Sequence, residues 1–184
     1  MSETVRINTH GGYDVHIGSK LLYDVGKLVK DAVGGASSAL IVTDSNVAPL
    51  YLEKVVASLK NAGFDVCSFV FPAGESSKNF ETLSDILGYA AKKHLTRRDC
   101  MVALGGGVTG DLTGFAAGCY MRGIEYVQIP TSLLAAVDSS VGGKTAVDLK
   151  AGKNLAGLFC QPALVVCDTD TLSTLPEEVL ACGA

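Results

Sequence analysis

Apolar positions alternate with polar ones at Val5, Ile7 and Thr9, break at Gly11-Gly12 and alternate again at Tyr13, Val15 and Ile17, which predicts a β-hairpin. The spacing then changes. Leu21, Leu22, Val25, Leu28, Val29, Ala32 and Val33 recur three and four residues apart, the stripe of a helix that Gly34-Gly35 ends. Residues 39–43 form a short continuous apolar run, as expected of a strand buried on both faces. Asp44-Ser-Asn46 follows, and Val47, Tyr51, Val55 and Leu59 then mark a helix with Asn46 as its N-cap and Pro49 in its first turn. The unit repeats with a strand at 66–71, a turn at 72–77 and a helix marked by Phe80, Leu83, Ile86, Leu87, Ala90 and Ala91. A third copy has a strand at 101–104, a glycine-rich turn at 105–111 and a small-residue helix at 112–121, whose glycines allow close packing on a sheet. Residues 126–129 and 163–167 read as further strands.

Strands alternating with helices predict an α/β fold of Rossmann-like, doubly wound type: a mainly parallel sheet with helices on both faces, and the N-terminal β-hairpin at one edge or packed against it. Residues 142–158 carry little periodicity and are expected to form a long functional loop. The whole of 1–184 reads as one α/β domain, with 1–175 the domain proper. Residues 176–184 begin a helix that stops short, so the chain is expected to lack a following domain.

Composition narrows the function classes. The net charge of −4 and the scatter of Lys and Arg argue against a nucleic-acid partner. No apolar stretch reaches the ~20 residues of a membrane span. The six cysteines have no C-x-x-C spacing; most sit in apolar runs as small buried hydrophobes, and with no signal peptide in view a cytoplasmic location is expected.

In a doubly wound sheet, ligands bind beyond the carboxyl ends of the strands. Gly105-Gly-Gly-Val-Thr-Gly110 satisfies G-x-G-x-x-G between a strand and a helix, where glycines let backbone approach a pyrophosphate. It follows the third strand rather than the first, and Glu125 at the matching distance begins a strand, so a plain tight turn is an equal reading. Asp44 suits ribose hydroxyls or an ordinary capping loop. Glu75 and Lys78 suit a ligand or a solvated first turn. Gly142-Gly-Lys-Thr145 is no Walker A motif, because Asp138 stands where Gly is required. Asp138 follows a strongly apolar segment, so burial with Lys144 as its partner is expected, in a polar cluster with Lys150, Lys153 and Asn154 that suits a small anionic substrate. His10, His16 and His94 lack metal-ligand spacing, and no nucleophile elbow or Cys/His pair supports a hydrolase.

Pro72-x-Gly-Glu-x-x-Lys78, Gly105-Gly-Gly-Val-x-Gly-Asp111, Arg122-Gly123, the block from Pro130 through Asp138-Ser-Ser-Val-Gly-Gly-Lys-Thr145, Gly152-Lys-Asn154 and Thr171-Leu-x-Thr-Leu-Pro176 together closely resemble the 3-dehydroquinate synthase family. The resemblance implies an NAD-dependent lyase that converts 3-deoxy-D-arabino-heptulosonate 7-phosphate into 3-dehydroquinate and phosphate in the shikimate pathway to chorismate. The implied order is transient oxidation, phosphate elimination, re-reduction, ring opening and aldol closure, aided by zinc or cobalt. By the same resemblance Asp44, Asn46, Gly74, Glu75, Ser76, Ser77 and Lys78 serve the nucleoside part of NAD. Gly106, Gly107, Val108, Thr109, Gly110 and Asp111 serve its pyrophosphate and neighbouring ribose. Thr131, Ser132, Lys144, Lys153, Thr171, Leu172, Ser173 and Thr174 complete the cofactor cleft. Asp138, Lys144 and Asn154 face the sugar phosphate, and Arg122 reaches the substrate phosphate of a partner subunit, which implies a homodimer. Ala73 stands where many relatives carry Asp. The family's metal ligands belong to an all-helical C-terminal domain and map to no residue here, so the chain alone is expected to be inactive.

Three alternatives remain. Another sugar-phosphate cyclase would differ in substrate, and a metal-dependent alcohol or glycerol dehydrogenase would release net NADH. A non-catalytic nucleotide-binding module would have no second domain.

Overall fold

The computed structural model describes residues 2–9, 11–181 and 183–184, so His10 and Cys182 lie outside the described residues. Strands β1 (Ser2–Ile7) and β2 (Tyr13–Gly18) form the N-terminal hairpin. The expected first helix is split by Asp24 into a 3-10 turn at Leu21–Tyr23 and α1 (Val25–Ala32). There follow β3 (Ser38–Asp44), a wide turn at Ala48–Leu52 that runs into α2 (Glu53–Asn61), β4 (Asp65–Phe71) and α3 (Phe80–Lys92). The glycine-rich unit is β5 (Cys100–Gly105) and α4 (Gly107–Cys119), and then comes β6 (Glu125–Pro130). After a wide turn at Ala135–Ser139 come β7 (Lys144–Leu149), β8 (Gly152–Phe159), β9 (Leu164–Asp168) and α5 (Glu177–Ala181).

The main sheet has the order β1-β2-β9-β6-β5-β3-β4. Every neighbouring pair is parallel except β1–β2, and of the two placements expected for the hairpin it takes the edge of the sheet. Alternation along the central strands explains their continuous apolar runs. Ala39, Ile41, Val102, Leu104, Val127 and Ile129 pack under α1 and α2 with Val25, Val29, Val55 and Leu59. Their neighbours Leu40, Val42, Met101 and Tyr126 pack under α3 and α4 with Leu83, Ile86, Leu112 and Phe115. Both faces are covered, which is the doubly wound arrangement.

Two further sequence expectations change. The turn expected over 105–111 is shorter, because α4 already begins at Gly107 and Gly107 to Asp111 are its first residues. The long loop expected over 142–158 is an antiparallel hairpin, β7 against β8. Its apolar positions give no period because the ladder is bulged and apolar residues stand on both of its faces, although only one is covered, by α4. Thr145 and Val147 are buried there, whereas Leu155 and Phe159 stand exposed.

Candidate functional site

The parallel strands β3, β4, β5, β6 and β9 bring their carboxyl ends to one rim. Neighbours β3 and β5 send their following helices, α2 and α4, to opposite faces, so the switch point at which a doubly wound sheet takes a ligand is bordered by Asp44 and Gly106. Asp44 Oδ1 accepts the backbone N–H groups of Asn46 (2.8 Å) and Val47 (3.1 Å). Asp44, not Asn46, therefore caps this turn, since its short carboxylate reaches the amides two and three residues on. Asp44 Oδ2 accepts from the Thr109 hydroxyl across the switch point at 3.4 Å. On the far side α4 begins with no side-chain cap. A Cβ at Gly106 would stand 3.4 Å from Ser132 Oγ, and one at Gly107 3.2 Å from Ser139 Oγ, so the missing side chains keep the backbone bare where the ends of β5 and β6 meet.

The loop after β4 turns at Gly74, whose φ of 115° favours glycine, and forms a 3-10 turn at Glu75–Ser77. Ser77 donates its hydroxyl to the Pro72 carbonyl, Ser76 accepts from Asn79 through its own carbonyl, and Ala73 N–H donates to Ser45 Oγ. Lys78 is not the solvated first-turn residue the sequence allowed: it is 6% exposed. Its Nζ lies 2.5 Å from Asp111 Oδ2 and donates to Asn154 Oδ1 at 2.6 Å, joining the β4 loop, α4 and β8. Burial pushes the Asp111 carboxyl above its ordinary pKa, and the Lys78 ammonium offsets part of that rise. Glu75 and Lys153 form an outer, exposed pair at 3.0 Å, and that hydrogen bond holds the Lys153 ammonium above its usual value.

Asp138 and Lys144 do not form the buried pair expected of them. Both are exposed, and among the described residues neither enters an ion pair. The Ala135–Ser139 turn carries Asp138 to the surface after Ala135 has taken the buried position. The two instead line one cleft of about 670 Å³ with Asp111 and Asn154, whose other wall is Leu155, Leu158 and Phe159 of the hairpin.

Thr131 is buried at the end of β6 and bonds the Gly105 carbonyl through its N–H, while Ser132 Oγ accepts from Ala135 N–H. Thr171 to Thr174 form a 3-10 turn after β9. Thr171 and Ser173 hydroxyls donate to the carbonyls of Asp168 and Asp170, and Thr174 is tied to the Tyr51 hydroxyl. Leu172 instead lines a small apolar recess with Ile17, Leu133 and Val137. Arg122 is far from this rim. It sits in the turn before β6 at φ 70° and shares a recess with Arg97 and Arg98, which precede β5, so it lies at the amino ends of the strands. Asp148 was not singled out in the sequence, because its position in a bulged hairpin has no local signature.

Residues 68–182 match the family model for the 3-dehydroquinate synthase N-terminal region. The chain is 51% identical over 171 residues to the 3-dehydroquinate synthase of Rhizobium leguminosarum bv. trifolii, a match covering 93% of this chain and 45% of that protein. It is 50% identical to the 3-dehydroquinate synthase of Xylella fastidiosa, covering 98% of this chain and 49% of that one. The chain thus spans about half the length of the curated relatives it matches. Among solved structures, a 2-deoxy-scyllo-inosose synthase complexed with carbaglucose-6-phosphate, NAD+ and Co2+ aligns over 98% of this chain and 50% of that one, with 30% identity and TM-score 0.88. The 2-epi-5-epi-valiolone synthase of Streptomyces hygroscopicus subsp. jinggangensis, with NAD+ and Zn2+ bound, aligns over 93% of this chain and 47% of its own, with 34% identity and TM-score 0.82. With more than half of its residues matched by the family model, the chain belongs to the 3-dehydroquinate synthase N-terminal family.

Proposed function

We infer that this chain is the NAD-binding half of a 3-dehydroquinate synthase, acting on 3-deoxy-D-arabino-heptulosonate 7-phosphate. The observation that carries this reading is the switch point between Asp44 and the bare start of α4, with the Lys78, Asp111 and Asn154 cluster beside it. The residues present fit a dinucleotide. Amide groups of the first turn of α4 have no side-chain partner, Gly106 and Gly107 admit close backbone approach, and Thr43 Oγ1 at the end of β3 is buried with no hydrogen-bond partner. NAD, when bound, supplies a reversible hydride acceptor.

The chain's own residues then divide the work. Asp44 has Oδ2 free of the capping bonds and offers it to ribose hydroxyls. The first turn of α4 holds pyrophosphate. Lys78 Nζ has three donors and two protein partners, so one donor remains for the cofactor. In the adjoining cleft, Lys144 pairs with phosphate or carboxylate, Asp138 accepts from hydroxyls and the hairpin's Leu155 and Phe159 limit water. Thr171 to Thr174 and Lys153 close the outer side. Arg122, at the opposite rim, serves only a cleft in another copy, which is the homodimer reading. The implied zinc or cobalt has no ligand set of three His, Cys, Asp or Glu among the described residues. Its ligands are assigned to the part of the longer relatives that this chain does not cover.

Isothermal titration of the chain with NAD tests the reading. Lys78→Ala is expected to weaken binding at least tenfold, an estimate from one charged hydrogen bond of about 1.5–3 kcal/mol. Melting is followed in parallel, because the substitution leaves Asp111 buried without its partner. Unchanged affinity removes Lys78 from the cofactor site. In the protein that carries both halves, phosphate release without net NADH supports a synthase, and net NADH supports a dehydrogenase. Turnover of a different sugar phosphate supports another cyclase. Identity of 51% to a 3-dehydroquinate synthase against 30% to the inosose synthase favours the first.

A further inference from the structure

The β7–β8 ladder is irregular at one point. Val147 pairs with Ala156, yet Leu149 pairs with Gly152, so Asp148 alone stands opposite Lys153, Asn154 and Leu155. Bulges of this kind re-aim side chains, and this one turns Asn154 into the left-handed region at φ 57°. Asp148 meets the bulge with its carboxylate and the loop after β4 with its N–H. Its Oδ1 accepts the Asn154 N–H at 2.8 Å, in place of a ladder partner, and its own N–H donates to the Lys78 carbonyl at 2.8 Å. One residue thus fixes the backbone of Lys78 and of Asn154, whose side chains meet each other at 2.6 Å.

We propose that Asp148 is a positioning residue, which holds Lys78, Asn154 and the neighbouring Lys153 in the arrangement that receives NAD. A left-handed non-glycine residue persists only where its surroundings hold it. Without the Asp148 carboxylate, Asn154 relaxes toward extended backbone and its Oδ1 leaves Lys78, whose ammonium then pairs with Asp111 alone and is no longer aimed. Lys153, one residue earlier, loses its line to Glu75. The inference rests on the cofactor reading above.

The test is NAD titration of the wild-type chain, Asp148→Ala, Asp148→Asn, Asn154→Ala and the double variant Asp148→Ala/Asn154→Ala. Asp148→Ala is expected to weaken NAD binding about tenfold. Asp148→Asn, which keeps an acceptor oxygen, is expected to recover to within about threefold of wild type. The double variant is expected to bind no more weakly than Asn154→Ala, since the first residue acts through the second. Asp148→Ser replaces Asp148→Ala throughout if the latter does not fold. Wild-type affinity in Asp148→Ala, failure of Asn to rescue, or full additivity in the double variant would overturn the inference alone. A wild-type chain that takes up no NAD fails the cofactor reading itself and takes this inference with it.

Discussion

Asp99 shows how much a single carboxylate does here. It is buried just before β5, and accepts from the backbone N–H groups of Ser37, Ser38 and Thr96 and from the hydroxyls of Ser37 and Thr96. Burial raises its pKa, but the hydrogen bonds from Thr96, Ser38 and Ser37 outweigh burial and hold it below the usual 3.8. Its contribution is therefore present above the unfolded value and is lost as pH falls through the folded one. Asp111 has the opposite sign, since a raised folded pKa contributes stability that falls as pH rises through it. Asp99→Ala is expected to cost about 3 kcal/mol at neutral pH. Urea midpoints between pH 6 and 2 are expected to fall less steeply below about pH 4 in the variant than in the wild type. Nothing in the sequence distinguished Asp99 from other exposed-looking acids: Thr96 is a local donor three residues away, but the Ser37 and Ser38 donors that complete its burial come from a segment some sixty residues away.

At the level of elements, α4 decides how the site is assembled. Gly110, Gly114 and Gly118 recur every four residues and form a smooth stripe. A Cβ at Gly110 would meet Gln128 of β6 at 2.5 Å, one at Gly114 would meet Thr145 Cγ2 at 2.4 Å, and one at Gly118 would meet Leu158 Cδ1 at 2.7 Å. The stripe lets the helix lie flush on β6 and on the β7–β8 hairpin together, which brings Asp111 of the helix within reach of Lys78 and Asn154. Close packing of this helix was legible in its composition, but its second partner was not, because the hairpin had no readable period. Gly114→Leu is expected to destabilise the chain by about 3 kcal/mol through overpacking. Hydrogen exchange checks the location: the ladder amides of β7 and β8 should lose protection before those of β3 and β5.

At the scale of the whole molecule, burial separates the thiols. Burial pushes Cys100 up to about 12 and Cys160 and Cys167 up to about 11, so all three stay protonated near neutrality. Cys119, at the exposed end of α4, is expected to label first with iodoacetamide among the five described cysteines, and the buried Cys100 and Cys167 only on unfolding; mass mapping of the labelled chain checks the order. Among the described residues no helix is long and apolar enough to cross a membrane. By itself the sequence determined the doubly wound sheet and the N-terminal hairpin, because apolar period and glycine position are local properties of the chain. Only the tertiary structure decided that Lys78 is buried against Asp111 and Asn154, that Asp138 and Lys144 share a cleft without touching, and that Arg122 lies at the opposite rim. It alone decided too that residues 144–149 and 152–159 are strands and that the hairpin takes the edge of the sheet. Those facts depend on which distant segments meet, and burial, pairing and bulge geometry are set by that meeting rather than by neighbours along the chain.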